Sequence, residues 1–558
     1  MDVVLVGLPG SGKTAVGKRL ARRHHAEFID LDQVVEKLSG LSIAAIFAAE
    51  GEPGFRRLER EAVASLGDAD RAPQIRRVIA TGGGAVIDPR NRWLLYRGRL
   101  AVWLECAPEI LAVRLRRSIN VRPLVSGGDP LESLRRLGTE RRRFYSPALQ
   151  LSGSAPVDSI AGALANGTVD GAVLGTTVLR ADTPIGRIEI GHGTAAVAVA
   201  AALDRAEARR AILVSEPTAW EFAGAGIAAA LKAEGREVVQ VMLPGGEEAK
   251  RLSVVEEACR ELARLRVDRR ETIVAIGGGA LTDAAGFVAS VYLRGVAVIQ
   301  VPTTLVGQID AALGGKTAVD IPEGKNLVGA FHQPVAFIAD TAFLTTLPER
   351  QRRAAMGEVV KMVTLGDERL MEVVEADGEA FVRGDVAAYE SGSVIEMVER
   401  CAWAKAEIVM ADEHESGRRT LLNLGHTLGH GIEAAAGYAA ILHGEAVAYG
   451  LRGALAISRA MGLVSDERAA RVNSALDRLG LAIEPPAVAP EDVMVHMATD
   501  KKHAQGRLSW VLPTDEGAVV RSDVPAEAVA AGVAAALRLA DGHVTGGTGR
   551  TPAPGAAR

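Results

Sequence analysis

Residues 1–14 read MDVVLVGLPGSGKT, and this stretch decides the fold of the first part of the chain. The apolar run at 3–6 predicts a buried strand, and a glycine-rich loop separates it from a helical pattern that begins at Lys13. Segment 7–14 fits the pattern GxxxxGK[ST], in which backbone N–H groups and a helix N-terminus surround phosphate oxygens. A glycine turn without a ligand is the alternative, but the strand–loop–helix context favours a phosphate-binding loop.

The residue types around this loop suggest how a nucleotide would be held. Lys13 supplies a positive charge for the phosphates and Thr14 a hydroxyl for Mg²⁺. The predicted strand at 78–80 runs into glycines and offers no acidic residue for the metal. Asp30 and Asp32 are the best candidates, because residues two apart on an emerging strand point to the same side. One can serve the metal, and the other can accept a proton from a substrate hydroxyl.

Length and composition predict several packed units. The 558 residues, 48% hydrophobic and 24% charged, suffice for three to four domains at about 150 residues each and exclude global disorder. Three widely separated cysteines supply neither a disulfide framework nor a CxxC zinc motif, so a reducing, cytoplasmic setting is expected. The N-terminus does not resemble a signal peptide, and no apolar run approaches the roughly 18 residues of a membrane span, so no membrane partner is expected.

Charge is distributed unevenly along the chain. Residues 1–150 carry 25 Lys and Arg against 17 Asp and Glu, whereas the remainder carries 39 against 52. This asymmetry favours two modules with different substrates. Clustered arginines can also mark nucleic-acid binding, but a solvated surface is the commoner cause. Aromatic residues, at 4%, are few for base stacking, so no nucleic-acid partner is expected.

Strand and helix patterns alternate in two series, which indicates an α/β chain with parallel sheets. The first series has predicted strands at 3–6, 27–29, 78–80 and 100–104. The second has predicted strands at 211–215, 237–242, 272–276 and 297–301. Beyond about Thr341 strands are expected to stop, and helical patterns follow at 349–376, 386–411, 420–437 and 444–462. The predicted boundaries are 1–165, a linker at 166–178, 179–340, 341–540, and a disordered tail at 541–558.

Six segments in the first module carry a family resemblance: GLPGSGKTAVGKRLA, FIDLD, GEPGFRRLE, TGGGAV, INVRPLV and RRRFY. In this order they resemble shikimate kinase. The resemblance implies ATP bound by Gly10, Ser11, Gly12, Lys13, Thr14 and the lid residue Arg122, with Mg²⁺ near Thr14 and Asp30. It implies shikimate bound by Asp32, Arg56, Gly82, Gly83 and Arg141. Lys13, Asp32 (as the base) and Arg122 would be catalytic. A neighbour of Arg141 in the run Arg141–Arg143 is an alternative clamp, and a kinase for a gluconate-like acid is the alternative activity.

The second module contains a glycine turn and a dense polar set. The strand at 272–276 ends in three glycines that can admit a pyrophosphate, but Thr282 replaces the third glycine of GxGxxG, so a plain tight turn is an equal alternative. His426 and His430 have the i, i+4 spacing of a metal pair, although a lone HxxxH is more often a surface pair or a cap. His443 and Glu358 favour a Zn²⁺ site. The many Lys and Arg residues predict a substrate with phosphate or carboxylate groups.

Eight segments between about 240 and 510 carry the second resemblance: LPGGEEAK, IGGGALTDAAGFVASVYLRGV, VPTTLVGQIDAALGGKTAVD, GKNLVGAFHQP, MGEVVK, KAEIVMADEHESGRRTLLNLGHTLGH, HGEAV and DKK. They resemble 3-dehydroquinate synthase. The resemblance implies that Glu358, His426 and His443 hold Zn²⁺ or Co²⁺, and that Lys316, Lys361, Lys405 and His430 are catalytic. The implied NAD ligands are Glu247, Lys250, Gly278, Gly279, Asp283, Thr303, Thr304, Lys316, Lys325 and Thr346. The implied ligands of 3-deoxy-D-arabino-heptulosonate 7-phosphate (DAHP) are Arg294, Asp310, Lys316, Lys325, Asn326, Lys361, Lys405, Arg419, Asn423, His430 and one of Lys501 and Lys502.

Together the resemblances imply an α/β fold class in which a P-loop kinase-type parallel-sheet domain is fused to a two-part synthase. The synthase would have an α/β dinucleotide-binding half and an all-helical metal- and substrate-binding half, and would form a homodimer. The ribose position after the first strand of this half reads Ser215-Glu216-Pro217, which departs from the expected pattern. Three alternatives remain: another sugar-phosphate cyclase, a metal-dependent polyol dehydrogenase, and a first module that only senses nucleotide.

Overall fold

The computed structural model describes residues 1–70, 74–116, 129–166, 176–415, 417–437, 440–484, 486–499, 503–504 and 507–538. Contacts divide the chain into two units: Met1–Leu347 with Gly384–Met410, and Pro348–Arg383 with Ala411–Arg558. Most of the predicted linker, the predicted tail, Arg122, Lys501 and Lys502 lie outside the described residues. The module boundaries therefore remain predictions.

The first α/β module of unit 1 contains a five-stranded parallel sheet in the order β2-β3-β1-β4-β5. Its strands are β1 (Asp2–Val6), β2 (Glu27–Asp30), β3 (Arg77–Ala80), β4 (Leu100–Glu105) and β5 (Leu149–Ser152). Its helices are α1 (Lys13–His24), α2 (Leu31–Ser39), α3 (Ile43–Ala64), α4 (Pro89–Tyr96), α5 (Pro108–Arg116), α6 (Pro130–Tyr145) and α7 (Val157–Asn166). The central strand β1 is buried throughout its length, and the predicted parallel sheet is confirmed.

The second α/β module of unit 1 contains a seven-stranded sheet in the order β6-β7-β14-β11-β10-β8-β9. Its strands are β6 (Thr176–Thr183), β7 (Gly186–His192), β8 (Arg210–Ser215), β9 (Glu237–Met242), β10 (Thr272–Gly277), β11 (Ala297–Pro302) and β14 (Ala336–Asp340), and a separate antiparallel hairpin is formed by β12 (Lys316–Ile321) and β13 (Gly324–Phe331). Its helices are α8 (Ala195–Arg205), α9 (Pro217–Ala219), α10 (Ala225–Ala233), α11 (Leu252–Arg264) and α12 (Gly279–Val291). Only β6 runs antiparallel to its neighbour within this sheet.

The central strand β10 explains why this sheet is covered on both faces. Its side chains alternate between two apolar cores: Ile273 and Ala275 belong to one, and Val274 and Ile276 to the other. Helices α11 and α12 complete the first core, and α8 and α10 the second. A run without polar residues is the pattern of a strand buried on both faces. This arrangement confirms the predicted dinucleotide-binding type of α/β half.

The C-terminal part is helical, as predicted. Its helices are α13 (Glu349–Thr364), α14 (Glu368–Arg383), α15 (Val386–Glu390), α16 (Ser393–Ala411), α17 (His426–Ala435), α18 (His443–Ala460), α19 (Asp466–Arg478), α20 (Pro490–Thr499) and α21 (Ala526–Ala536). Two of the predicted helices are each divided at a glycine with positive φ, Gly366 and Gly392, a conformation that ends a helix. Helices α15 and α16 lie largely in unit 1. Among the described helices, none combines the length and apolar character needed to cross a membrane.

The expectation that strands stop near Thr341 is wrong. Two short antiparallel hairpins follow α20, formed by β15 (His503–Ala504) with β16 (Arg507–Leu508), and by β17 (Trp510–Pro513) with β18 (Ala518–Arg521). Each strand is at most four residues long. Segments this short are below the length at which an alternating pattern can be distinguished from a loop.

Asp340 joins the end of β14 to the start of α8 in unit 1. Its buried carboxylate accepts hydrogen bonds from the backbone N–H groups of Gly193, Thr194, Ala195 and Ala342, at 2.7 to 2.9 Å. These donors are otherwise orphaned at the first turn of a helix, and a negative charge there is favoured by the helix dipole.

We expect Asp340→Asn to destabilise unit 1, because an amide nitrogen would face backbone N–H donors. The expected loss is about 1–3 kcal/mol in the free energy of unfolding, measured by urea denaturation with circular dichroism. Asp182→Asn is the control, since that side chain is 76% exposed and its loss should cost no more than about 0.5 kcal/mol. Equal effects of the two substitutions would contradict this role of Asp340.

Candidate functional site

The phosphate-binding loop has the geometry that the sequence predicts. Helix α1 begins at Lys13 directly after the loop, and Gly12 occupies the N-cap position. The Lys13 ammonium is buried and donates to the carbonyl oxygens of Gly7, at 2.7 Å, and Leu8, at 3.1 Å. The Thr14 hydroxyl donates to a carboxylate oxygen of Asp30 at 3.0 Å. A hydroxyl and a carboxylate in contact beside the loop form a suitable pair of oxygen ligands for Mg²⁺.

Asp30 and Asp32 are close together, but not for the predicted reason. Asp30 ends β2 and caps α2, where its carboxylate accepts a hydrogen bond from the backbone N–H of Asp32 at 3.2 Å. Asp32 therefore lies in the first turn of a helix and not on the strand. Its carboxylate faces the glycine turn after β3: a Cβ atom built on Gly82 would lie 2.9 Å from it. The glycine thus leaves room beside this acid.

Two arginines and a tyrosine surround the same glycine turn. Arg141 donates to the carbonyl oxygen of Gly83 at 2.8 Å, and the hydroxyl of Tyr145 donates to the same oxygen at 2.6 Å. Arg56 lies against Gly84, since a Cβ atom built there would be 2.5 Å from its guanidinium. Burial raises the pKa of Tyr145 to about 12, so this hydroxyl remains a donor. Two guanidinium groups and a carboxylate around one turn can bind an anionic substrate that carries hydroxyl groups.

The three consecutive arginines Arg141, Arg142 and Arg143 differ in how deeply they are buried. Arg141 is buried at the glycine turn, whereas Arg142 forms an ion pair with Glu105 at 2.9 Å and Arg143 stacks on the Trp403 ring at 4.0 Å. Of the three, Arg141 is thus the residue placed to contact a ligand at the turn. Its role as a shikimate ligand stays a prediction.

The sequence reasoning missed two residues in this module. Glu59 is buried and pairs with Arg56 at 2.7 Å, and burial raises its pKa although Arg56 opposes the shift. It is the last residue of the segment GEPGFRRLE, three positions after Arg56. Arg114 donates to the carbonyl oxygens of Gly10 and Gly153, at 3.4 and 3.0 Å. It ties the phosphate-binding loop to the end of β5, near an open cavity of about 620 Å³.

The glycine turn of the second module contacts the threonines predicted with it. Strand β10 ends at Gly277 and α12 begins at Gly279. The backbone N–H of Thr303 donates to the carbonyl of Gly277 at 2.9 Å, and a Cβ atom built on Gly278 would lie 3.3 Å from the methyl group of Thr304. The turn is therefore framed by the ends of two parallel strands, which is the position of a dinucleotide in such folds.

Glu216, whose neighbourhood departs from the expected pattern, also reaches this edge of the sheet. Its carboxylate accepts a hydrogen bond from the backbone N–H of Gly246 at 3.1 Å, and Gly278 lies within 4.0 Å by the same Cβ construction. Glu216 follows β8, the strand next to β10 in the sheet. An acidic side chain at this position is placed to accept hydrogen bonds from ribose hydroxyls.

A cluster of charges lies between α12 and the β12–β13 hairpin. The Lys250 ammonium contacts Asp283 at 2.7 Å and also donates to the side-chain oxygen of Asn326, while Lys325 lies 3.8 Å from Glu247. Burial disfavours the charged form of Lys250, but Asp283 outweighs it and raises the pKa of the ammonium. The structure thus brings together four predicted NAD ligands, of which Lys325 is also a predicted substrate ligand, and the predicted substrate ligand Asn326.

The remaining predicted ligands of unit 1 include both buried and exposed side chains. Lys405 on α16 is buried and forms an ion pair with Asp310 at 2.5 Å. Lys316 is exposed at the start of β12. Arg294 is exposed in a left-handed turn after α12, and Thr346 is exposed where its hydroxyl donates to the carbonyl of Phe343. Their roles as ligands stay predictions.

Three side chains of unit 2 converge on one point. Glu358 on α13, His426 at the start of α17 and His443 at the start of α18 place their ligand atoms within 4.8 Å of one another. The Nε2 atoms of His443 and His426 lie 3.1 and 3.6 Å from the same Glu358 oxygen. The other ring nitrogen of His426 faces the carbonyl of Leu424 at 3.1 Å, which favours a neutral ring with Nε2 available as a ligand.

The electrostatics of this triad suit a divalent cation. Burial alone would raise the pKa of Glu358, but Lys361, His426 and His443 hold it well below its usual range. Burial keeps the pKa of His426 well below that of a free imidazole. One oxygen of Glu358 lies 2.6 Å from the Lys361 ammonium, and the other faces the two histidines. An ionised buried carboxylate and two imidazoles form a His₂Glu set that fits Zn²⁺ or Co²⁺.

Other predicted residues of unit 2 lie close to the triad or near one another. The rings of His430 and His426 are 5.3 Å apart, and the rings of His430 and His443 are 5.9 Å apart. Arg419 is fully buried and its backbone N–H donates to Asp412, whereas the amide of Asn423 donates to Glu415 at 2.8 Å. The placement of His430 beside the ligands agrees with a substrate role in the same site, a role that stays a prediction.

The sequence reasoning missed Glu433 on α17. Its buried carboxylate lies 3.4 Å from Nδ1 of His443, the ring nitrogen that does not face Glu358. Burial opposes the charged ring, but the hydrogen bonds to Glu358 and Glu433 outweigh it and raise the pKa of His443 to about 10. A carboxylate behind a ligand histidine fixes the orientation of the ring and increases its basicity.

Family models match three consecutive parts of the chain. The model for shikimate kinase matches residues 9–154, and those for the N-terminal and C-terminal parts of 3-dehydroquinate synthase match 240–354 and 355–503. A 3-dehydroquinate synthase of Symbiobacterium thermophilum is 42% identical over 335 residues, which span 60% of this chain and 92% of that protein.

Two solved structures are similar to the two parts of the chain. ValA, a 2-epi-5-epi-valiolone synthase from Streptomyces hygroscopicus with NAD⁺ and Zn²⁺ bound, is 28% identical, covers 63% of this chain and 96% of its own, and has a TM-score of 0.58. A shikimate kinase from Acinetobacter baumannii in complex with shikimate is 33% identical and covers 29% of this chain and 90% of its own, with a TM-score of 0.27.

We expect Glu433→Leu to weaken metal binding at the triad by about 10–100-fold, because His443 would lose the partner that orients it. Glu433→Gln should retain most of the affinity, since its amide oxygen can still accept the hydrogen bond. Zn²⁺ affinity is measured by competition with a chelator. Glu349→Gln, an exposed carboxylate of the same unit, is the control. Unchanged affinity in folded Glu433→Leu protein would contradict this role.

Proposed function

We propose that this chain, which belongs to the 3-dehydroquinate synthase family and in its N-terminal part to the shikimate kinase family, catalyses two reactions. The first module would transfer the γ-phosphoryl group of ATP to shikimate. The remainder would convert DAHP to 3-dehydroquinate and inorganic phosphate. The two reactions are not consecutive steps, so the proposal requires no transfer of an intermediate between the sites.

The kinase proposal is carried by the ring of polar groups around the Gly82–Gly84 turn. Arg56 and Arg141 would bind the substrate carboxylate, because guanidinium groups pair with carboxylates in two hydrogen bonds. Asp32, which faces the same turn, would orient a ring hydroxyl and take its proton as the phosphoryl group is transferred. Lys13 would neutralise charge on the phosphates. Thr14 and Asp30 would hold Mg²⁺, which would supply charge neutralisation at the phosphates.

The synthase proposal is carried by the triad of Glu358, His426 and His443 with Lys361 beside it. A metal ion held by these three residues would supply Lewis-acid polarisation of a substrate hydroxyl, and bound NAD would supply hydride transfer. The chain's own residues would bind and orient the substrate. Lys361 and Lys405 are buried cations paired with Glu358 and Asp310, and Arg419 is buried as well. Cations at the predicted ligand positions suit a substrate that carries a carboxylate and a phosphate.

We also assign Glu216 to NAD binding. Its carboxylate lies at the carboxyl edge of the sheet, against Gly246 and near Gly278. It would accept hydrogen bonds from the ribose hydroxyls of the adenosine half, and its charge would disfavour a phosphorylated ribose. A homodimer through the synthase half remains a prediction.

Two rival activities are separated by their products. A different sugar-phosphate cyclase would release phosphate from another heptulose phosphate, as the similarity to ValA allows. The identity to the 3-dehydroquinate synthase of Symbiobacterium thermophilum is higher, however, 42% against 28%. A polyol dehydrogenase would release NADH and would not need so many cations.

We expect the full chain with NAD⁺, Zn²⁺ and DAHP to release one phosphate per DAHP without net NADH, because the hydride returns to the substrate. Phosphate is measured with a coupled colorimetric assay and NADH by its absorbance in the same sample. NADH accumulation without phosphate would contradict the proposal and indicate an oxidoreductase. Protein that phosphorylates shikimate but gives neither signal would refute DAHP as the substrate.

We expect Lys13→Ala to lower shikimate phosphorylation by at least about a hundredfold, because the phosphates lose a buried positive charge. Conversion of DAHP should persist at the unsubstituted rate. Lys18→Ala, which removes an exposed lysine from the same helix, is the matched control for both assays. Substantial kinase activity in the Lys13→Ala chain would refute the assignment of the loop.

A further inference from the structure

The first α/β module is docked on helix α16 of the synthase part through buried charges. Arg92 on α4 is fully buried, and its guanidinium donates to both carboxylate oxygens of Glu399. Arg90 on the same helix contacts Glu396 at 2.6 Å, and the Glu396 side chain is also buried. Both acidic residues belong to α16, so two ion pairs join one helix of each part.

Aromatic side chains extend this contact at both ends. The indole N–H of Trp93 donates to the carbonyl of Glu390 at 2.8 Å, and a Cβ atom built on Gly392 would lie 2.7 Å from the Trp93 ring. Gly392 has a φ of 83°, so a larger residue there would be strained as well as obstructed. At the other end, Arg143 stacks on Trp403 of α16. The contact with the first module thus extends along α16 from its N-terminal end to Trp403.

The ion pairs at this contact fix how the two parts pack. Arginine and glutamate side chains that pair inside a contact must meet in one geometry, and such pairs fix one register of packing. If the first module moved away, Glu396 and Glu399 would each lose an arginine partner. The contact between α4 and α16 therefore holds the two modules in one arrangement.

Helix α16 presents its opposite face to the synthase site. Glu396, Glu399 and Trp403 follow one another at spacings of three and four residues and form one stripe. Lys405 is two residues beyond Trp403, about 200° around the helix. There it is buried and pairs with Asp310. One helix therefore carries both the contact with the first module and a predicted ligand of the synthase substrate.

The docked elements of the first module also frame its own glycine turn. Arg92 donates to the carbonyl oxygens of Val86 and Ile87, which follow that turn directly. Helix α6 places Arg141 at the turn and Arg143 on Trp403.

We infer that the first module is a structural part of the synthase: Arg92 is a positioning residue that holds α16 so that Lys405 stays against Asp310. The inference deepens the proposed function and rests on it for the role of Lys405, but the contacts themselves do not depend on the substrate. It predicts that a substitution in the kinase part impairs the synthase.

Acetylation of Lys405 in the full chain tests the inference without any substrate. We expect Arg92→Met to raise the acetylation rate of Lys405, measured by mass spectrometry, by about tenfold, because α16 loses its anchor. The same variant should lower kcat/KM for DAHP by about tenfold or more. Arg57→Met is the control, since Arg57 is an exposed arginine of the same module, paired only with surface glutamates in the described contacts.

A second variant distinguishes positioning from a general loss of folding. Arg92→Met leaves Glu399 buried without that partner, whereas Arg92→Met with Glu399→Leu replaces the pair by apolar side chains, which buried sites tolerate. The double variant should restore slow acetylation of Lys405 and the activity on DAHP. Acetylation at the unsubstituted rate in folded Arg92→Met protein would overturn the inference. A rise in Lys405 acetylation in Arg92→Met protein, together with no DAHP activity in the unsubstituted chain, would refute the proposed function alone.

Discussion

The buried carboxylate of Glu358 is the constraint on which the helical unit depends. A carboxylate removed from water must be balanced by positive charge, and here Lys361 and two histidines from two further helices surround it. This requirement brings α13, α17 and α18 together at one point. Glu433 adds a further carboxylate to this arrangement. It lies beside Nδ1 of His443, the ring nitrogen that does not face Glu358, and so orients the ring. The chemistry that we propose for the synthase part uses this charge balance, which a divalent cation would complete.

In unit 1, buried charges are balanced by pairs of oppositely charged side chains. Lys250 with Asp283 and Lys405 with Asp310 each hold a buried ammonium beside a carboxylate at positions where anionic ligands are predicted. The contact of the first module with α16 uses arginine and glutamate in the same way, although no ligand is expected there. Buried charge thus serves two purposes in this chain: it prepares sites for anions, and it fixes how two enzyme modules pack.

Local motifs predicted more of this structure than long-range packing did. The phosphate-binding loop and the parallel sheets each rest on a short pattern with a fixed geometry. The set of Glu358, His426 and His443 came from the family resemblance, because the HxxxH spacing alone indicates His426 with His430. Asp32 was placed on a strand, because the sequence does not show that Asp30 caps a helix. Burial, which the sequence does not show, separates Arg141 from Arg142 and Arg143. Burial also distinguishes Glu59 and Glu433 from the many exposed glutamates of the chain. The role of Arg92 could not be predicted at all, because its partner Glu399 lies 307 residues away.

We propose that one chain transfers one phosphoryl group and eliminates another. Phosphorus NMR of a single sample that contains the full chain, ATP, Mg²⁺, shikimate, NAD⁺, Zn²⁺ and DAHP follows both reactions at once. The γ-phosphate signal of ATP should be replaced by that of a shikimate phosphate ester, while the DAHP signal is replaced by that of inorganic phosphate. A DAHP or ATP signal that persists unchanged would contradict the proposal.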